Sequence, residues 1–344
     1  MRAGELVPVR VGRVSMLVSR RAIAADVAAV VLIVLLALWG ITRGAQGLGL
    51  GDVVDVVLGR ADRITTTVIV DWRLPRIVAA VVLGAALGFS GAVFQSLTRN
   101  PLGSPDVIGF TNGSLTGVIA VIFLGGTGFA AVSAGALAGG LGAALLVYLL
   151  AFRDGVQGFR LIIVGIAVGA FLTALNGWFM VTADLDDAYA AAVWGAGSVA
   201  TVDWRSVGAA TVVLLLVALC APVAQRWMRQ MELSDDAAAA TGVPVERVRL
   251  ALVVLGVVAI AAVTAVSGPI GFVALAAPQI ARRLTGRGAT VDLVGSAIVG
   301  SLVLVAADLV AQHAFPGVSL PVGAVTVCLG GVYLVVLLAI ESRR

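Results

Sequence analysis

The sequence contains no lysine; all 23 basic residues are arginine. A phosphate-binding P-loop sets a lysine on the phosphates, so the chain carries no such ATPase site, and nothing in it points to an enzyme. It has one histidine, His313, and two cysteines, Cys220 and Cys328, both inside apolar runs. That inventory excludes a disulfide framework and a transition-metal ligand set. The cysteines read as small buried hydrophobes, and neither metal nor cofactor is expected; a transported metal would have to travel inside a chelator. Charge is scarce as well. Of 344 residues only 12% are charged and 60% are hydrophobic, and the mean hydropathy is +1.08. A soluble domain carries about 25% charged residues. With half of that the chain cannot clothe a water-facing surface, so its long apolar runs must face lipid or one another. The net charge of +4 does not indicate nucleic acid, because the arginines are scattered between apolar runs and form no basic–aromatic face.

What is present is a succession of ten apolar runs, at about 22–41, 76–97, 106–124, 130–152, 160–182, 206–224, 249–267, 269–284, 290–313 and 321–340. They predict an all-α integral membrane protein with ten transmembrane helices. The first run has no clear small-residue cleavage site and reads as an uncleaved helix. Segment 269–284 is short for a span and opens on Gly268-Pro269, which predicts a broken or tilted helix. With the N-terminus inside, strict alternation puts 17 arginines on the cytoplasmic side and six outside, as the positive-inside rule requires. Both termini are then cytoplasmic, and residues 1–21 form a cytoplasmic segment. The outside segments 42–75 and 183–205 are long; Trp194 and Trp204 in the second fit a membrane–water boundary. Spans 2–5 and 7–10 are offset by five helices, so any internal repeat is inverted in the membrane. Forty-two glycines include three GxxxG strings, at 84–88, 135–139 and 165–169. Each is either a close-packing seam or a by-product of abundant glycine.

One inside segment, 225–248, stands apart. Ser234, Asp235 and Asp236 followed by four alanines predict an N-capped short helix, which Gly242 and Pro244 stop. Such a helix is either a plain connector or a docking element for a soluble partner.

Specific strings narrow the reading. Residues 73–76 read Arg-Leu-Pro-Arg, followed by Ser90-Gly91, Gln95, Asn100-Pro101-Leu102, Pro105, Gly109 and Asn112-Gly113. Further on come Trp194, Gly197-Ser198, Thr241-Gly242, the stretch from Gly268 to Val273, Pro278, Arg282-Arg283, Asp308, Leu320-Pro-Val-Gly323 and Gly330-Gly331. In this order and spacing, over essentially the whole chain, they resemble the FecCD family, permease subunits of ABC importers for iron–siderophores, haem and vitamin B12. The string Val273-Ala-Leu-Ala-Ala-Pro-Gln279 looks most like ferric-enterobactin-type permeases.

The resemblance implies a vitamin B12 importer-type (type II ABC importer) permease, one membrane domain over 1–344. It also implies a second permease subunit, two cytoplasmic ATP-binding subunits, an extracytoplasmic binding lipoprotein and a ferric-siderophore substrate, with haem or vitamin B12 as the alternative. Arg73 and Arg76 match the family's contacts to the binding protein, a task that suits the bidentate guanidinium; they also read as arginines snorkelling at a helix start. Asn100 and Leu102 match one cytoplasmic gate element, and Gly158 and Phe159 a second. Ser234, Asp235, Asp236, Thr241 and Gly242 match the helix that couples to the ATPase. The sequence departs from the family pattern at Gln279, where histidine is usual, at Val332-Tyr333, and at Gln312, where a third contact arginine commonly stands. The last departure leaves that contact open. A proton-coupled carrier is disfavoured, since only Asp26, Asp106 and Asp308 lie in or near the spans.

Overall fold

The computed structural model describes all residues except 1–5, 12–13, 44–46, 127, 153–157, 233, 287–291, 316 and 342–344. Arg2, Arg13, Arg153, Arg287, Arg343 and Arg344, all assigned inside from sequence, lie outside the described residues.

The chain opens on something the arginine count concealed. Strands β1 (Leu6–Val11) and β2 (Val14–Ser19) pair antiparallel, with Leu6 opposite Ser19 and Val11 opposite Val14. Two β-branched runs flank a two-residue link, which is a hairpin signal. Ser19 then caps α1 (Arg20–Thr42), its hydroxyl accepting from Ala22 N at 3.1 Å.

The segment 42–75, assigned outside from sequence, is mostly helical. It holds α2 (Leu50–Val57) and α3 (Arg63–Thr66), whose first turn is capped by the Asp62 carboxylate. A π-helical stretch, Thr67–Arg73, joins α3 to α4 (Leu74–Thr98), making one continuous apolar helix over Arg63–Thr98. A short 3₁₀ turn (Pro105–Ile108) precedes α5 (Phe110–Phe123). Helices α6 (Phe129–Ala151), α7 (Gly158–Thr182), α8 (Leu185–Gly195) and α9 (Trp204–Met231) follow. Asp203 caps α9, and hydrogen bonds from the hydroxyl and N–H of Ser206 hold its carboxyl below the ordinary aspartate range. The remaining elements are α10 (Asp235–Ala240), α11 (Val245–Ser267), α12 (Val273–Thr285), α13 (Leu293–His313) and α14 (Val322–Glu341).

Among the described residues, seven helices are long and apolar enough to cross a membrane, the shortest being the 21 residues of Leu293–His313. Phe110–Phe123 and α12 fall short of a span, and α12 runs for only 13 residues after a break at Gly268, as Gly268-Pro269 predicts. Ten spans are therefore not established by length alone.

Helix α4 is the hub. Its side chains from Leu83 to Gln95 are buried apart from Ala85, and it packs on α13, α11, α12 and α9. Glycine sets how closely. A β-carbon on Gly88 would lie 2.0 Å from Ser296 O of α13, and one on Gly300 would lie 2.2 Å from Gly84 O. Helices α5 and α6 meet the same way: a β-carbon on Gly117 would lie 2.0 Å from Gly135 O, and one on Gly139 would lie 2.1 Å from Gly113 O. Two of the three GxxxG strings are thus backbone-to-backbone seams. The third is looser: a β-carbon on Gly169 would lie 3.5 Å from Asn112 Nδ2 and 3.7 Å from Gly109 Cα, ordinary van der Waals contact.

The cysteines correct a sequence reading: Cys220 and Cys328 are exposed. An apolar run in a membrane protein need not point inward, since its outer face meets lipid or another subunit.

Candidate functional site

The polar side chains gather at the two ends of the bundle. At one end stand Arg21, Arg99, Asp235, Arg249 and Arg282; at the other, Arg73, Arg76, Asp308, Gln312 and Trp204.

At the first end, α4 terminates in Arg99, whose backbone is left-handed at φ 48°. Glycine usually fills that position. The turn that follows is fixed locally: Asn100 Oδ1 accepts from Leu102 N at 2.8 Å, and Gly103 N donates to Asn100 O at 2.9 Å. Leu102 is left exposed. From α12, Gln279 Nε2 donates to Pro101 O at 2.9 Å, and Arg282 donates to Gln95 Oε1 at 2.9 Å. Gln279, a departure from the family's histidine, therefore serves as an amide link between α12 and the turn. Phe159, in the first turn of α7, is exposed; Gly158 opens that helix.

Beside this turn lies α10. Ser234 Oγ accepts from Ala237 N at 3.0 Å, the cap that the sequence predicts, and Gly242 takes φ +83° at the stop. Thr241 Oγ1 donates to Ala238 O at 2.8 Å. Ala238 seats the helix on the body, and Asp236 faces out. Asp235 faces the body instead. Its Oδ1 accepts from Arg99 at 2.6 Å and its Oδ2 from Arg249 at 2.6 Å. Arg249, buried, also reaches Glu246 at 2.8 Å. Sequence reasoning gave Arg99 and Arg249 no role beyond the charge count; the only signal was that Arg99 directly precedes Asn100-Pro101-Leu102.

At the opposite end, Arg73 donates to Ile41 O. Arg76 grips Asp308 with Nε at 3.0 Å from Oδ2 and a terminal nitrogen at 2.8 Å from Oδ1. Gln312 Nε2 adds a bond to Asp308 Oδ2 at 2.8 Å. The Asp308 side chain is 3% exposed and that of Arg76 16%. Arg76 thus neutralises a buried carboxylate between α4 and α13, a task its reading as a snorkelling or docking arginine did not include.

The same end explains why scattered motif strings occur together. Ser198 N donates to Ser267 O at 2.7 Å, and Gly323 N to Gly197 O at 3.0 Å. A β-carbon on Gly197 would lie 2.0 Å from Pro269 O, and one on Gly323 2.2 Å from Ala196 O. The strings at 194–198, 267–270 and 320–323 thus form one backbone knot that only glycine permits.

Comparison with known proteins agrees with this architecture. The chain is 46% identical over 327 residues to the ferric enterobactin transport system permease protein FepG of Escherichia coli (strain K12), covering 95% of this chain and 99% of that one. It is 34% identical over 322 residues to the probable siderophore transport system permease protein YfhA of Bacillus subtilis (strain 168), covering 89% and 94%. A solved inward-facing structure of a metal-chelate type ABC transporter superposes with TM-score 0.81 at 27% identity, covering 92% of this chain and 99% of that one. The model of the FecCD transport family matches residues 31–339, and the chain belongs to that family of multi-pass membrane permeases.

Proposed function

We propose that this chain is the permease subunit of an ATP-driven importer that carries a ferric siderophore across the cell membrane. The observation that carries the reading is the near-full-length likeness, 46% identical, to a ferric enterobactin permease. The arginine-rich end with α10 is the cytoplasmic side, both termini included, in line with the 17-to-six division of arginines. Helices α5, α12 and α14 complete ten spans with the seven long ones, in one permease domain with inverted repeats. A second permease, two ATP-binding subunits and an extracytoplasmic binding protein complete the transporter. The gate on the cytoplasmic side is formed by Asn100 and Leu102 with Gly158 and Phe159.

Helix α10, with 225–248, receives the ATP-binding subunit. Its free surface is set by Asp236 and by the stop at Gly242. Asp236→Arg reverses the outward charge, and Gly242→Trp forces a bulky residue into φ +83°, a strain of about 1–2 kcal/mol. Both variants are expected to lose co-purification of the ATP-binding subunit and ATP-driven uptake together. Full uptake by both would make the helix a connector.

Arg73 is the better docking arginine of the pair, because it donates to a backbone carbonyl, Ile41 O, and neutralises no buried carboxylate as Arg76 does. Arg73→Glu forgoes that hydrogen bond, worth about 0.5–1.5 kcal/mol. An interfacial charge pair lost to the binding protein costs about 2–5 kcal/mol. The variant should therefore fold nearly as the wild type yet dock the loaded binding protein tens of times more weakly in nanodiscs. Unchanged docking would leave Arg73 as a membrane anchor.

A further inference from the structure

The polar network at the α10 end has a direction. Asp235 ties α10 to the body through both carboxylate oxygens, one to Arg99 at 2.6 Å and one to Arg249 at 2.6 Å. Arg99 spends the same nitrogen on Met231 O, at 2.9 Å, at the end of α9. It is thus clamped between α9, α10 and its own place at the end of α4. From Arg99 the chain enters the 100–103 turn, whose Pro101 carbonyl is held by Gln279 of α12. Gln279 lies one helical turn from Arg282, which returns to α4 through Gln95. The Asp235–Arg99 ion pair, the chain from Arg99 to Asn100 and the bond from Leu102 N to Asn100 Oδ1 thus join α10 to the exposed Leu102.

The backbone adds a second observation. Arg99 is one of two non-glycine residues at positive φ among the described residues. Glycine would hold this left-handed cap without strain. An arginine there is unfavourable for the fold by itself, so its presence calls for a task the side chain performs. Charge-assisted bonds, about twice as strong as neutral ones, suit a link that must pull as well as push.

We propose that Arg99 is a positioning residue that transmits displacement of α10, through Asp235, to the turn carrying Asn100 and Leu102. This rests on the reading that α10 receives the ATP-binding subunit. Asp235 then acts inward, as the link, while Asp236 and the helix stop face the partner. The ion pair is half-exposed, with the Arg99 and Asp235 side chains 45% and 42% accessible, so its resting contribution to stability is small. Its use lies in coupling two elements.

The glycine preference of the site makes a clean test. Arg99→Gly removes the link and relieves the backbone; Arg99→Lys keeps a cation beside Asp235. Each variant is assembled with the ATP-binding subunits and reconstituted in liposomes. Thermal stability, co-purification, ATP turnover and ferric-enterobactin uptake are then measured. We expect Arg99→Gly to keep its stability, its ATP-binding subunits and its ATP turnover, while uptake per ATP falls by about tenfold or more, a typical coupling energy. Arg99→Lys should recover most of that ratio. Uptake per ATP at the wild-type level in Arg99→Gly overturns the proposal. So does a loss of uptake that only parallels a loss of stability, since Arg99 would then be structural. Loss of the ATP-binding subunits from Asp236→Arg, with wild-type coupling in Arg99→Gly, would refute the link and leave the docking reading standing. Retention of those subunits by Asp236→Arg and Gly242→Trp alike would refute the docking reading itself.

Discussion

Arg76→Glu should cost this protein its fold rather than only a contact with a partner. The substitution sets a carboxylate against Asp308, whose side chain is 3% exposed and whose other bond in this cluster is the Gln312 amide. Breaking a buried ion pair by removing one partner costs about 3–5 kcal/mol, because the remaining charge is left uncompensated. That is a large share of the stability of a typical domain, about 5–15 kcal/mol. Asp308→Ala should cost a comparable amount by stranding Arg76, and Arg76→Lys an intermediate amount, since an ammonium cannot reproduce the fork. An apolar pair, Arg76→Met with Asp308→Leu, should recover much of the loss. Detergent-solubilised yield and Tm across the four variants check this. A well-folded Arg76→Glu would show that the cluster is wet enough to tolerate two carboxylates. The recovered apolar pair also separates structure from docking, because it removes the guanidinium from a folded protein.

The second large effect lies in the α4–α13 seam. Gly88→Ala adds one methyl group, but that carbon falls 2.0 Å from Ser296 O, and backbone cannot swing aside as a side chain does. Overpacking a core costs about 1–3 kcal/mol where side chains can yield; here whole helices must part, and Gly88→Leu should abolish folding. Gly300→Ala should act alike, at 2.2 Å from Gly84 O. The control is Gly142→Ala on α6, where an added β-carbon meets nothing within 4 Å. It should be neutral, or stabilising by at most about 1 kcal/mol from helix propensity. A Gly88→Ala protein with the wild-type Tm would mean that the two helices do not approach this closely.

These two cases mark what sequence could and could not disclose. Apolar runs place every long helix, because a run of about 20 apolar residues has no other stable home. Ends are less legible. Helix α9 continues to Met231, past the predicted end near 224, because Arg226 and Arg229 ride on its last turns and look like loop charges. The outside segment 42–75 was given no helices from sequence, yet Asp52 and Asp62 are there as helix caps. The N-terminal hairpin was hidden beneath arginines counted for topology. Exposure of Cys220 and Cys328 was not legible either, since hydropathy does not distinguish a lipid face from a protein face.

The sites divide in the same way. The Ser234 cap and the Gly242 stop follow from local chemistry and are found as predicted. Pairings between distant residues do not. Nothing local joins Arg76 to Asp308, 232 positions away, or Arg99 to Asp235, 136 away. Only helix packing brings them together, so the tie that Arg76 makes between α4 and α13 was not legible in its motif.

The central claim is that this chain moves a ferric siderophore only as the membrane part of an ATP-driven assembly. The direct measurement is uptake of radio-iron as ferric enterobactin into proteoliposomes, comparing the chain alone with the full assembly of permeases, ATP-binding subunits and binding protein. The account predicts no ATP hydrolysis and no uptake by the chain alone, and uptake by the assembly that requires ATP and is indifferent to a proton gradient. ATP turnover by the purified chain, or uptake driven by a proton gradient without ATP, would contradict it.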